Sequence, residues 1–356
     1  MVRVSPAFAG RVTILVAGQV AMYYMFKWMM SQFDPNKDRK DAAAAASSKL
    51  LQRLKDRNIE LTDYEGMVAA DVIDPSDITT TWESVGGLDK TIAVLQESVV
   101  LPLTRPDLFP KGSTLLRAPR GVLLFGPPGC GKTLLAKALA KEAGCCFISL
   151  QPSTFMDKWY GESQKLVDGL FSLASKLKPT IIFIDEIDAF LRKRSSSDQE
   201  MNAHMKAQFM QLWDGFSSDE PGHIVIIGAT NRPEDVDKAF LRRMPRVCKI
   251  GLPGREQRKS ILKALLKDEK IEGEFELEPI AIATEGYSGC DLQELCRNAA
   301  MTKMRERVKV ALAEGTVSEA PISLSTRDFI NAMSVVEDAN SEEDGDGFED
   351  SVDAIN

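Results

Sequence analysis

Histidine is almost absent from this chain: His204 and His223 are the only two in 356 residues. The six cysteines form no CxxC pair, and two of them, Cys145 and Cys146, are adjacent. Neighbouring thiols suit neither an ordinary disulfide framework nor a zinc site. The sequence therefore argues against a His/Cys metal cluster and against a cross-linked secreted fold. Free thiols fit a reducing compartment such as the cytosol. A basic excess is missing too. The formal net charge is −8, and from Glu337 onward nine acidic residues stand with no basic one. Without that tail the body is close to neutral, which excludes the broad positive field of a nucleic-acid-binding domain. The tail reads as solvated and disordered, with an acidic docking peptide as the other reading.

Long uncharged runs are also scarce, and the longest lies near the N-terminus. Val12 to Phe26 carries no charge, and past Lys27 the apolar stretch continues to Met30. A helix crossing the hydrocarbon core needs about 20 residues. Lys27 stands near one end, where its amine can snorkel, and Tyr23, Tyr24 and Trp28 fall where an interfacial aromatic belt belongs. Gln19, in the middle, can face a partner helix. A cleaved signal peptide is the competing reading, but no small-residue cleavage site follows Met30. Lys27, Lys37, Arg39 and Lys40 follow the span while only Arg3 and Arg11 precede it, so the large C-terminal part is expected in the cytosol. From Asp38 to Asn58 the composition is strongly helix-forming and predicts a stalk leading toward Pro75.

Three apolar runs then end in chemistry. Arg120 to Phe125 reads as a buried strand that enters Gly126-Pro127-Pro128-Gly129-Cys130-Gly131-Lys132-Thr133. A good helix former, Leu134 to Ala143, follows. This is the phosphate-loop pattern in its strand–loop–helix setting. Glycines let backbone N–H groups turn toward phosphate oxygens, and the helix N-terminus adds its positive end. Lys132 reaches the β- and γ-phosphates of ATP, and Thr133 ligates Mg²⁺. Pro179 to Ile184 is a second buried strand, ending in Asp185 and Glu186. Asp185 is placed to hold Mg²⁺ through water, and Glu186 to orient and deprotonate the attacking water. His223 to Thr230 is a third, ending in Asn231, which can bond the γ-phosphate or the water or serve as a plain turn residue. Cys130, inside the loop beside Lys132, is expected to be a reactive thiolate.

These segments, with the later Gly286-Tyr-Ser-Gly-Cys-Asp291-Leu, resemble the AAA ATPase family over residues 75 to 336. The resemblance implies an α/β P-loop NTPase fold. A large subdomain with a parallel sheet, 75–253, precedes a small helical subdomain, 254–336. The rest divides into a short N-terminal segment 1–11, a transmembrane helix 12–30, a stalk or linker 31–74 and the acidic tail 337–356. It also implies a homo-hexameric ring. Phe240-Leu-Arg242-Arg243-Met-Pro-Arg246 resembles the family's arginine-finger segment, where guanidinium groups act in trans on a neighbour's ATP. Arg243 is the first candidate. The finger assignment of Arg242 and Arg246 is open, because Val247 stands where similar members carry the next arginine. The second sensor region brings Gly289 toward the nucleotide, and Ser288 is expected to cap the following helix. Asp77 to Gly87 resembles the lead-in whose backbone lines the adenine pocket, and Leu134 is expected at the nucleotide.

Asp157-Lys-Trp159-Tyr160-Gly161-Glu162 resembles the family's central-pore loop. Aromatics there grip an unfolded chain through sequence-tolerant contacts; two core anchors are the alternative. Arg194 to Asn202 resembles a second pore loop. With the N-terminal span, the pore and finger segments resemble the membrane-anchored branch of the family. Its members, on the mitochondrial outer membrane and on peroxisomes, extract mislocalised tail-anchored proteins. Two alternatives stay open: a filament- or coat-disassembling ATPase, and a nucleotide-switched membrane scaffold.

Overall fold

The structure, a computed structural model, describes residues 60–109, 118–150, 163–190, 200–219, 224–272, 275–314 and 323–333. The expected span 12–30, the stalk, Trp159 and Tyr160, most of the second pore segment and the acidic tail lie outside the described residues. Among the described residues no helix is long and apolar enough to cross a membrane.

The chain divides into two compact units, Met1–Ala70 and Asp71–Asn356. In the first, a short helix spans Asp63–Val68. Thr62 and Glu65 cap it reciprocally: the Thr62 N–H donates to Glu65 Oε2 at 2.7 Å, and the Glu65 N–H donates to Thr62 Oγ1 at 3.4 Å.

The second unit is built on a six-stranded sheet. Its strands are β1 (Val72–Ile73), β2 (Gly121–Phe125), β3 (Cys146–Leu150), β4 (Thr180–Ile184), β5 (Ile224–Thr230) and β6 (Arg246–Lys249), in the order β1-β3-β4-β5-β2-β6. All neighbours run parallel except β1, which pairs antiparallel with β3. The central strands are apolar because both faces are covered: all five residues of β4 are buried. Side chains alternate between the faces. Ile181, Phe183, Val225 and Ile227 join one core with Val122, Leu124 and Phe147. Helix α1 (Lys132–Glu142) contributes Leu135 and Leu139 to that core. Toward the other face, α2 (Ser163–Lys176) and α3 (Glu200–Asp219) bring Phe171, Phe209 and Trp213 into an aromatic cluster, with centroids 5.1 Å and 5.9 Å apart. Trp213 packs so closely on Gly121 that a Cβ there would lie 2.8 Å from its ring.

Strand order decides where ligands go. The chain leaves β2 and reaches β3 only after passing β5 and β4, so the order reverses at β2. Open α/β sheets bind ligands at the carboxyl ends of strands at such a switch point. Register does the rest. Phe125 lies opposite Thr230 and Ile184 opposite Gly228. The residues that follow β2, β4 and β5 therefore emerge side by side.

A helical lid completes the unit. Helices α4 (Arg255–Leu265), α5 (Leu277–Ala283) and α6 (Gly289–Glu314), with a final helix over 326–333, enclose a core of Leu262, Ile280, Leu292, Leu295 and Phe329. A two-stranded parallel ribbon, β7 (Lys270–Ile271) with β8 (Ser323–Leu324), ties its ends together. Arg258 is buried with no carboxylate partner among the described residues. Its guanidinium donates to Ala281 O at 2.7 Å and 3.1 Å and to Pro253 O at 2.9 Å, which fixes α5 to the entry of α4.

The central strand should be the least tolerant element. Phe183 is fully buried and stacks on Phe147 at 5.6 Å. Phe183→Ala is predicted to destabilise the fold by about 3–5 kcal/mol. Chemical denaturation of the purified variant reads this directly, and a loss under about 1 kcal/mol would contradict this packing.

Candidate nucleotide site

The loop after β2 closes around its own lysine. Gly126, Gly129 and Gly131 all have positive φ, 150°, 71° and 87°. A side chain at Gly126 would run into the Ile250 carbonyl, and one at Gly129 would meet Ser288 Oγ at 2.7 Å. These glycines are required by conformation and by close approach. The Lys132 ammonium donates to Gly126 O at 2.9 Å, to Pro127 O at 2.7 Å and to Asn231 Oδ1 at 2.7 Å. Burial pulls its pKa below the usual lysine value, while Cys130 and Asp185 push it back up. A buried cation in a ring of carbonyls, at a helix N-terminus, suits a ligand rich in negative oxygens.

Beside it, Thr133 Oγ1 donates to Asp185 Oδ2 at 2.9 Å, while the Glu186 N–H donates to Asp185 Oδ1 at 3.0 Å. A hydroxyl and a carboxylate in contact at the loop's edge are hard oxygen donors that fit Mg²⁺. Pro128, Gly129, Gly131, Lys132, Thr133, Leu134, Asp185, Glu186, Asn231 and Gly289 line one cavity of about 930 Å³, as does Cys130. Gly126 and Pro127 are not among its walls; they act through the carbonyls that hold Lys132.

The lead-in and the lid supply the remaining wall. Thr80, Ser84, Val85 and Gly86 line the cavity from one side, Ile261 and Leu265 of α4 and Gln293 of α6 from another. Gly86 sits against the backbone of Ile261, where a Cβ would lie 2.6 Å away. Ile261, Leu265 and Gln293 are missed by reading the sequence alone. Their only signal is spacing: one turn apart on α4, and one turn beyond Gly289 on α6. The expected cap is present and reciprocal: the Asp291 N–H donates to Ser288 Oγ at 3.3 Å and the Ser288 N–H to Asp291 Oδ2 at 2.7 Å. From this cap the Cys290 N–H donates to Gly129 O at 3.1 Å, so the lid touches the phosphate loop itself.

One expectation changes. Cys130 is not set up as a thiolate. Its side chain packs into the core under the loop and its thiol donates to Pro128 O at 3.6 Å. Burial pushes its pKa up, against the smaller opposing pull of Lys132, so the thiol stays protonated at neutral pH. Arg243, the first candidate finger, is held within its own chain. Its Nε and Nη2 donate to the two oxygens of Asp214 at 2.9 Å and 2.6 Å, and Nη1 donates to Ala239 O at 2.8 Å. The bond to Arg243 holds the Asp214 carboxyl below the usual carboxylate range, so the pair is intact at neutral pH and is lost only in acid. Arg242 and Arg246 are exposed, and neither side chain hydrogen-bonds or ion-pairs with another described residue. None of the three arginines lines the cavity of its own chain.

Comparison with known proteins agrees with this geometry. Residues 122–252 match the model of the ATPase family associated with various cellular activities (AAA), and 274–319 match the AAA+ lid domain. The chain is 52% identical to the human outer mitochondrial transmembrane helix translocase over 286 residues, which is 80% of this chain and 79% of that one. A zebrafish (Danio rerio) protein of the same name is 53% identical over 286 residues, with the same coverage. The Caenorhabditis elegans mitochondrial sorting homolog is 45% identical over 320 residues, 90% of this chain and 92% of that one. With both halves of the nucleotide-binding module matched and half of the aligned residues shared with curated members, this chain belongs to the AAA family and is an ATP hydrolase.

Proposed function

We propose that this chain is a membrane-anchored motor that couples ATP hydrolysis to extraction of mislocalised tail-anchored proteins from the mitochondrial outer membrane, and from peroxisomes. The observation that carries the reading is the similarity to transmembrane helix translocases over four-fifths of the chain. The hydrolytic residues brought together around one cavity add to it. In this reading residues 12–30 cross the membrane, 31–74 link the span to the ATPase core, 75–253 and 254–336 are the large and small subdomains, and 337–356 form a solvated tail. The core faces the cytosol and works as a homo-hexamer. Trp159 and Tyr160 face the central pore and hold the substrate segment.

Within the site, Lys132 and the loop N–H groups bind the phosphates of ATP. Thr133 and Asp185 hold Mg²⁺, which when bound offsets the charge on the phosphate oxygens. Glu186 takes the proton of the attacking water, and Asn231 orients that water or the γ-phosphate. Among the described residues no arginine of the chain lines the cavity, which supports a guanidinium supplied by a neighbour. Arg243 is the first candidate finger; in the single chain it bonds Asp214, which it would leave to reach a neighbour. Arg242 and Arg246, both exposed, are the other candidates.

Glu186→Gln should keep ATP affinity within about threefold but abolish measurable turnover, because an amide cannot take the water's proton. Lys132→Ala should weaken ATP binding instead. Normal turnover by Glu186→Gln would show that the base is another group. Arg243→Ala should lower turnover by about a thousandfold, and mixing it with Glu186→Gln subunits should restore part of the activity. Mixtures that stay as inactive as their components would contradict sites shared between chains.

Trp159→Ala should leave basal turnover within about threefold and preserve the melting temperature, yet stop release of a tail-anchored protein from liposomes. If the two aromatics are core anchors, both should fall together, as for any buried Trp cut to Ala. Normal release by the Trp159→Ala, Tyr160→Ala double variant would remove the pore-loop assignment.

A further inference from the structure

Glu186 has φ +49°, and among the described residues no other non-glycine has positive φ. Such a backbone persists only where its surroundings over-determine it. Four contacts do so here. The Glu186 N–H donates to Asp185 Oδ1 at 3.0 Å, and the Ala189 N–H donates to Glu186 O at 2.8 Å. Ile187 is fully buried and fills a notch over Gly228, where a Cβ would lie 2.5 Å from its Cδ1. The fourth comes from the next residue: Thr230 Oγ1 donates to Asp188 Oδ1 at 2.6 Å.

That last bond reaches a second functional turn. Thr230 is 1% exposed and ends β5, directly before Asn231. With its hydrogen directed to Asp188, the hydroxyl oxygen accepts from the Arg232 N–H at 2.9 Å. One hydroxyl therefore bridges the residues on both sides of Asn231, whose Oδ1 accepts from Lys132 at 2.7 Å. Asp188 itself is not among the residues lining the nucleotide cavity.

We propose that Asp188 is a positioning residue for hydrolysis: through Thr230 it locks the turn carrying Glu186 to the turn carrying Asn231, so that base and sensor keep one relative geometry. The inference rests on the roles given to Glu186 and Asn231 above. A carboxylate suits the task because it only accepts, which forces the hydroxyl proton toward it and leaves the Thr230 oxygen free for Arg232. Binding of ATP depends on the loop and Lys132, which this bond does not touch.

The test uses the full-length chain with Asp188→Ala, Asp188→Asn, Thr230→Val and Thr230→Ser, measuring kcat, KM, affinity for a fluorescent ATP analogue and melting temperature. Asp188→Ala and Thr230→Val should each lower kcat by about 10- to 100-fold, the scale of a small misplacement of catalytic groups. Analogue affinity should stay within about threefold, and the double variant should lose no more than either single, since both break one bond. Asp188→Asn and Thr230→Ser keep an acceptor and a hydroxyl, and should recover most of the rate. If Asp188→Ala fails to fold, the near-isosteric Thr230→Val carries the same measurement. A kcat within twofold of the parent in Thr230→Val, or affinity falling in step with kcat, overturns the proposal. Glu186→Gln, run in parallel, separates the two ideas: retained turnover there would sink the base assignment, whereas failure of the Asp188 and Thr230 variants alone leaves it standing.

Discussion

The placement of the Lys132 ammonium is the constraint on which the site depends. A cation drawn out of bulk water must be met by acceptors, or it loses its proton or leaves. Here two acceptors are carbonyls of its own loop and the third belongs to Asn231, at the end of another strand. The loop can supply its carbonyls only by turning through positive φ at Gly126, Gly129 and Gly131. Asn231 can supply its oxygen only because β2 and β5 are hydrogen-bonded neighbours in parallel register. Sheet order, glycine placement and the chemistry of one amine are thus a single requirement seen at three scales.

Much of this was legible in the chain. The runs before Gly126, Asp185 and Asn231 are short and apolar with no charge inside, as central parallel strands demand, and each ends in residues of the candidate site. The reciprocal cap between Ser288 and Asp291 could likewise be read from three-residue spacing. What escaped is long-range. Nothing local shows that β5 lies between β4 and β2, or that the segment carrying Arg246 is an edge strand. The pair Arg243 and Asp214 joins residues 29 positions apart and becomes visible only when α3 is laid beside the finger segment. Cys130 misled for a related reason. Proximity to a lysine in sequence favours a thiolate, but the side chain turns into the core, where burial outweighs that charge.

The Arg243–Asp214 pair gives the segment before β6 a structural function. Asp214 sits on α3, among the aromatic residues that cover one face of the sheet. Arg243 precedes β6, which extends the sheet beside β2. The bidentate bond therefore fixes the start of that edge strand against α3.

The lid contact at the phosphate loop sets up a different mechanical relation. Helix α6 runs 26 residues from Gly289 to Glu314, which at about 1.5 Å per residue makes an arm of about 39 Å. One end is hydrogen-bonded through Cys290 to Gly129, within the loop that holds the phosphates. Tilting such an arm by about 10° about that end would carry its far tip about 7 Å. Any adjustment of that loop would have a lever attached to it, with its fulcrum beside the candidate site.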